Sequence, residues 1–189
     1  MKPYIETDRL VARNWIEADR DLFFEINSDP VVMRHFPFRR TRQQSDSVMD
    51  FLRDVNDEQG FGFAALELRE TGECLGFCGL TRVAPELKLA EGAVEIGWRL
   101  ATRHWGKGYA TEAAMAWLEH GFNRLSLDEI VSFAVATNHR SIQVMQRIGM
   151  RRDPSRDFLH PGVPEMRPDL RQHHFYAITR NDWLTGNRK

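Results

Sequence analysis

The sequence predicts a single α/β or α+β domain, with helices packed on a mixed sheet. Three observations carry that expectation. Segments with apolar residues at alternate positions are interleaved with segments of helical period, in the order β-α-α-β-β-β-α-β-α-β. The chain has 189 residues, enough for one sizeable core. Its composition, 42% hydrophobic and 28% charged, is that of an ordinary globular protein. No repeat, linker or low-complexity tract divides it, so one domain is expected over 1–189.

The first strand is expected from Leu10 to Asn14, where "YIETDRLVARNW" alternates. "EADRDLFFEINSD" predicts a short amphipathic helix with Leu22, Phe23 and Ile26 on one face, closed by Pro30. "TRQQSDSVMDFLRDVNDEQG" predicts a second helix, capped by Thr41 and stopped by Gly60, with Val48, Phe51, Leu52 and Val55 inward. "FGFAALEL" and "CLGFCGL" form a hairpin around Gly72. "AVEIGWRL" is the next strand and "ATEAAMAWLEHGFNRL" the main helix. "EIVSFAVAT" is a strand, and "HRSIQVMQRIG" a helix ended by Gly149. Residues 151–170, rich in Pro and Arg, read as a long loop before a closing strand, "HHFYAITRNDW".

The formal net charge of −1 gives no reason to expect nucleic acid or an anionic membrane as partner. The apolar runs are too short to span a bilayer, and "MKPYIETDRL" has no signal-peptide core, so a cytoplasmic protein is expected. The two cysteines, Cys74 and Cys78, lie four apart in a strand. They are expected to point the same way, too distant to bridge, as reduced core thiols. With no further Cys, no zinc site and no metal are expected.

The segment richest in chemistry is "VEIGWRLATRHWGKGYATEAAMAWLEHGF". A strand ends, and Gly106 and Gly108 directly precede a helix starting near Tyr109 or Ala110. A helix N-terminus presents unpaired N–H groups and a positive dipole end. Glycines before it let an anion approach without a Cβ in the way. Arg103, His104 and Lys107 add positive character, so the corner reads as a phosphate or pyrophosphate cradle. A plain glycine turn with solvated basic residues is the alternative. "GKGYAT" lacks the Gly-Lys-Ser/Thr of a P-loop. The dinucleotide fingerprint fails because Thr111 holds its third glycine position and "ATRHW" separates Leu100 from Gly106. Arg/Gln-x-x-Gly-x-Gly/Ala fits completely, as Arg103-His104-Trp105-Gly106-Lys107-Gly108.

On that motif, with "ETDRLVARNW", "DPVVMRHF", "EIGWRL" and "NHRSIQVMQRIGM" in order, the sequence resembles the GNAT superfamily of acetyl-CoA-dependent N-acetyltransferases. Within it, the chain is most similar to the RimJ/RimL-type ribosomal-protein N-terminal acetyltransferases and their small-molecule relatives. The resemblance implies a mostly antiparallel mixed sheet whose fourth strand, here Val94 to Leu100, carries a bulge and splays from the fifth. In the resulting V the pantetheine arm of acetyl-CoA runs beside Ile96, Gly97, Trp98 and Leu100. The pyrophosphate falls on the amides of His104 to Ala110, Trp105 and Tyr109 included. Gly97, inside a β-rich run, independently suggests a bulge or close backbone approach, or simply room for packing. By resemblance, Asn138 bonds the pantetheine arm and Ser141 lies near its sulfur or phosphate end; a helix cap is the plain alternative for Asn138.

The implied reaction moves an acetyl group from acetyl-CoA to a primary amine by direct attack in a ternary complex. The amine must be neutral: an α-amine, of pKa about 8, needs little help, and a lysine-like amine, of about 10.4, needs a base. Glu95, in an otherwise apolar run, is the candidate base, with a solvated or structural glutamate as the alternative. Many relatives carry a tyrosine four residues after the Ser141 position; here Met145 stands there, and Ser141 is the nearest substitute acid. Some relatives carry a glutamate where Phe133 stands. These two departures keep open a non-catalytic acetyl-CoA sensor or regulatory module. His173, His174 and Tyr176 are further candidate bases. Trp15, Phe36, Phe38, Phe158 and His160 are candidates to line the acceptor pocket. The expected acceptor is a protein N-terminus or a small-molecule amine, and the resemblance adds a homodimer as a state to test.

Overall fold

A computed structural model describes residues 2–87, 89–90 and 92–186. The elements are β1 (Ile5–Glu6), β2 (Leu10–Arg13), α1 (Arg20–Ser28), α2 (Arg42–Gln59), β3 (Phe63–Leu68), β4 (Cys74–Arg82), β5 (Val94–Leu100), α3 (Tyr109–Asn123), β6 (Glu129–Val135), α4 (His139–Arg147), β7 (Arg151–Arg152), β8 (Phe158–Leu159), α5 (Pro168–Arg171), β9 (Gln172–Thr179) and α6 (Arg180–Gly186). The strands form one sheet in the order β1-β2-β3-β4-β5-β6-β9-β7, with β8 also on β9. Every described pairing is antiparallel except β5 with β6. With the short β1 placed ahead, the family's fourth and fifth strands are β5 and β6.

Period-two alternation sends successive side chains to opposite faces of this sheet. Leu66, Leu80, Ile96 and Ile130 meet Trp117, Leu118 and Phe122 of α3 on one face. Ala65 and Phe77 meet Phe23, Ile26 and Met49 of α1 and α2 on the other. α2 begins and ends as its sequence signals: the Thr41 hydroxyl accepts the Gln44 N–H, the Gln44 side chain accepts the Thr41 N–H, and Gly60 closes it at φ 73°.

Several expectations need correction. Val48 and Leu52 of α2 pack inward as expected, but the fully buried positions are Ser45, Met49 and Asn56, and Phe51 is 64% exposed. Asn56 is drawn in because its amide donates to Asn14 Oδ1 (3.1 Å) and the Phe63 carbonyl (3.3 Å). The β-bulge lies in β4: Leu66 pairs with Gly76 and Glu67 with Cys74, which leaves Leu75 as the extra residue. β5 pairs with β4 in unbroken register from Val94 to Leu100, so β5 carries no bulge. The extra residue also turns the two cysteines apart: Cys78 packs on the α3 face and Cys74 on the α1–α2 face, both as free thiols. The segment 151–170 is not all loop, since β7 and β8 each add a two-residue rung to β9.

β5 and β6 share a single backbone bridge, Glu95 to Val131. Beyond it the Ser132 hydroxyl donates to the Ile96 carbonyl (2.9 Å), and then the strands part into a V. No helix among the described residues is long and apolar enough to cross a membrane.

Candidate active site

One continuous cleft of about 690 Å³ runs from the N-terminus of α3, through the V, to the α1–α2 face of β5. At its first end Gly106 (φ +77°) and Gly108 (φ +82°) adopt the left-handed conformation that glycine takes most readily. No side chain caps α3 at Gly108, and the first helical bond runs from the Glu112 N–H to the Gly108 carbonyl. The N–H groups from Gly106 to Thr111 therefore have no backbone acceptors among the described residues, and all of these residues but Lys107 line the cleft end. This cradle is narrower than expected. The His104 and Trp105 amides already donate to the Ala101 (2.9 Å) and Thr102 (3.1 Å) carbonyls in a short 3-10 turn. A diphosphate fits the remainder: converging donors, a helix N-terminus, and open space where Gly106 would carry a Cβ.

The middle of the cleft is the splayed edge of β5. Strand alternation aims the backbone groups of Ile96, Trp98 and Leu100 at the gap. Ser132 occupies the Ile96 carbonyl and Trp105 Nε1 the Leu100 carbonyl (2.8 Å). The Trp98 N–H and C=O and the Leu100 N–H have no partner in β6. Across the gap, Asn138 Oδ1 caps α4 by accepting the Ser141 N–H (3.3 Å), and Ser141 and Met145 line the wall. Gly97 makes room for a ring: a Cβ there would lie 3.0 Å from Phe63.

The far end is aromatic with one carboxylate. Glu95 is half-buried, accepts no hydrogen bond among the described residues, and burial pushes its pKa up to about 7. Phe63 and Phe77 stack on the floor with centroids 5.0 Å apart, and Phe36 and Phe38 stand above. On the opposite rim His160 and His173 lie 4.9 Å apart. His173 Nδ1 lies 3.0 Å from the Arg171 carbonyl, and burial lowers the His173 pKa to about 4.

Residues 9–151 match the family model described as an acetyltransferase (GNAT) domain. The chain belongs to the GNAT acetyltransferase family. It is 30% identical to the N-acetyltransferase YnaD of Bacillus subtilis over 181 residues, which is 95% of this chain and 99% of YnaD. It is 34% identical to YkkB of the same organism over 152 residues, 79% of this chain and 86% of YkkB. Among solved structures, a GNAT-family acetyltransferase from Bacillus anthracis superposes with a TM-score of 0.77 at 25% identity, over 94% of this chain and 98% of that one.

In this acetyltransferase the cleft gathers most residues singled out from the sequence. Glu95, Ile96, Gly97, Trp98 and Leu100 line it, as do His104, Trp105, Gly106, Gly108, Tyr109 and Ala110, and then Asn138 and Ser141. Arg103 and Lys107 do not. Arg103 turns away to pair with Glu25 and Glu73, and Lys107 is exposed. His104 contributes a buried ring whose Nε2 lies 3.2 Å from Glu73 Oε1, and burial lowers its pKa. Trp15 is core instead of pocket: it is fully buried and Nε1 donates to the Phe63 carbonyl (2.8 Å). Tyr176 is also core, and His174 and Phe158 stand outside the lining.

Three arginines of this site escaped the sequence reading. Arg140 stacks on Trp105 at 4.9 Å. Arg9 supports the glycine cradle from behind, bonding Glu112 Oε2 (2.6 Å) and the Lys107 carbonyl (3.2 Å) and lying 4.8 Å over Tyr109. Arg99 lines the aromatic far end of the cleft. Its signal was present, since period two puts residues 95, 97 and 99 on one face.

Proposed function

We propose that this acetyltransferase moves an acetyl group from acetyl-CoA to a primary amine by direct attack, both substrates being held in the one cleft. The observation that carries the reading is continuity: free helix N-terminal amides, an unpaired strand edge and a carboxylate of raised pKa follow one another along a single channel. The amides of Gly106 to Thr111 hold the diphosphate. The edge of β5 at Trp98 and Leu100 receives the pantetheine arm as an added strand, with Asn138 opposite. Acetyl-CoA supplies an activated acyl carbon as a thioester.

Glu95 takes the proton that the amine gives up as its nitrogen bonds to that carbon. Its pKa near 7 suits a base at neutral pH better than His173, near 4. The Trp98 N–H is the free main-chain donor for the carbonyl oxygen. The C–S bond breaks, and the Ser141 hydroxyl stabilises the departing sulfur, which then takes a proton from solvent. A thiol of pKa about 8.5 leaves with little help, so Met145 at the tyrosine position is compatible with turnover. The likeness of the opening segments and of "NHRSIQVMQRIGM" supports reading the chain as a relative of the RimJ/RimL-type branch.

The test is acetyl-CoA titration by calorimetry, followed by thiol release over a panel of amines. Binding and amine-dependent release are expected. Binding without release on any amine returns the chain to a coenzyme-binding module, and no binding removes the reading.

A further inference from the structure

We propose that the amine acted on also carries a carboxylate, and that Arg99 receives it. This rests on the acetyl-transfer reading above and names the acceptor class for it. Arg99 lies on the same face of β5 as Glu95, with Gly97 midway between them. Its guanidinium sits 4.3 Å from the Phe36 ring centroid and 5.4 Å from that of Phe77. Nη1 donates to Asn27 Oδ1 (2.5 Å), its one hydrogen bond among the described residues. Nε is buried and has no partner among the described residues. No carboxylate lies within ion-pair distance of it among the described residues, in contrast to Arg13, which pairs with Asp19 (2.7 Å) and Glu67 (2.6 Å).

A half-buried cation whose buried Nε is orphaned is costly unless an anion arrives. Burial and nearby Arg40 lower the Arg99 pKa to about 10, which leaves it charged at neutral pH. Arg34 also lines this end, and Glu95 is the one acid lining the cleft among the described residues. The site is therefore positive wherever Glu95 is not. A polyamine brings charge of the same sign to Arg34, Arg40 and Arg99. A carboxylate matches the planar guanidinium fork through two parallel bonds. An acceptor above the Phe63–Phe77 stack then has a base on one side and an anion receptor on the other.

The experiment measures acetyl-CoA turnover with matched acceptors. Free α-amino acids are compared with their amides, and short peptides bearing Asp or Glu near the N-terminus with their Asn or Gln counterparts. These two arms separate a free amino carboxylate from an acidic protein terminus, and spermidine is the cationic control. The acid member of at least one arm is expected to show a kcat/KM at least about tenfold higher. In Arg99→Gln that ratio falls to near one while acetyl-CoA affinity by calorimetry is retained. Arg99→Lys, which keeps the charge and loses the fork, gives an intermediate ratio and guards against misfolding of the first variant.

Equal use of acid and neutral partners, preference for spermidine, or a preference that survives Arg99→Gln overturns the carboxylate assignment while acetyl transfer stands. Acetyl-CoA binding with no turnover of any carboxylated amine overturns it as well. Absence of acetyl-CoA binding overturns the transfer reading itself.

Discussion

At the scale of single residues, Glu95 concentrates the consequences. Its carboxyl titrates near 7 because burial disfavours the charged form. As the proposed base, Glu95 works deprotonated, so kcat/KM is expected to climb as pH passes about 7 and then level off. In Glu95→Gln that limb disappears and kcat falls about a hundredfold, with acetyl-CoA affinity near normal; a pH–rate series and calorimetry check both. Stability moves the opposite way. The folded pKa lies above the unfolded value, so the native state binds the extra proton and the wild type loses stability as pH rises from about 4.5 to about 7. The Tm advantage of Glu95→Gln over wild type is therefore expected to grow between pH 5 and pH 8, as scanning calorimetry would show. Glu95 was legible in the sequence because a carboxylate in an apolar strand needs a reason. Arg99 was equally visible by spacing, but only the fold shows that no acid among the described residues answers it. Trp15 went the other way: an aromatic that packs the core and one that lines a pocket look alike until the Phe63 carbonyl is seen above its indole N–H.

At the scale of elements, the start of α3 is the part most dependent on distant sequence. Thr7 and Arg9 bond Glu112 in the first turn of α3, so the segment before β2 fixes the glycine cradle. Glu112→Gln is expected to raise KM for acetyl-CoA about fivefold with kcat unchanged, the size of one weakened hydrogen bond of about 1 kcal/mol. Gly106→Ala meets open space but a left-handed backbone, with a cost of about 1–2 kcal/mol that thermal denaturation would register. Element ends were legible because Thr41, Gly60 and Gly149 are local signals with local causes. The pieces β1, β7 and β8 were not, since two-residue rungs exist only by virtue of the strand beside them. The inward face of α2 was read in part: Val48 and Leu52 pack there, but its buried Ser45 and Asn56 are polar, and hydrophobic period cannot announce them.

At the scale of the whole molecule, two apolar layers grip one sheet. Leu66, Leu80 and Ile130 secure one side and Phe77 with Ala65 the other. The alternation of strands and helices in the sequence made this architecture readable, while the exact site of the bulge depended on how β3 and β4 pair. A ligand that binds only the native chain stabilises all of it: acetyl-CoA at a hundredfold excess over its Kd is expected to add about 2.7 kcal/mol, read as a rise in Tm that Gly108→Trp abolishes. The single bridge from Glu95 to Val131, with Ser132 beside it, has a mechanical meaning. It is one stitch between two half-sheets, and the seam beyond it is where the fabric loosens first. Amide protons of Trp98 and Leu100 should exchange with deuterated solvent ahead of those of Phe77 and Cys78, and a tail threaded along the seam should reverse that order.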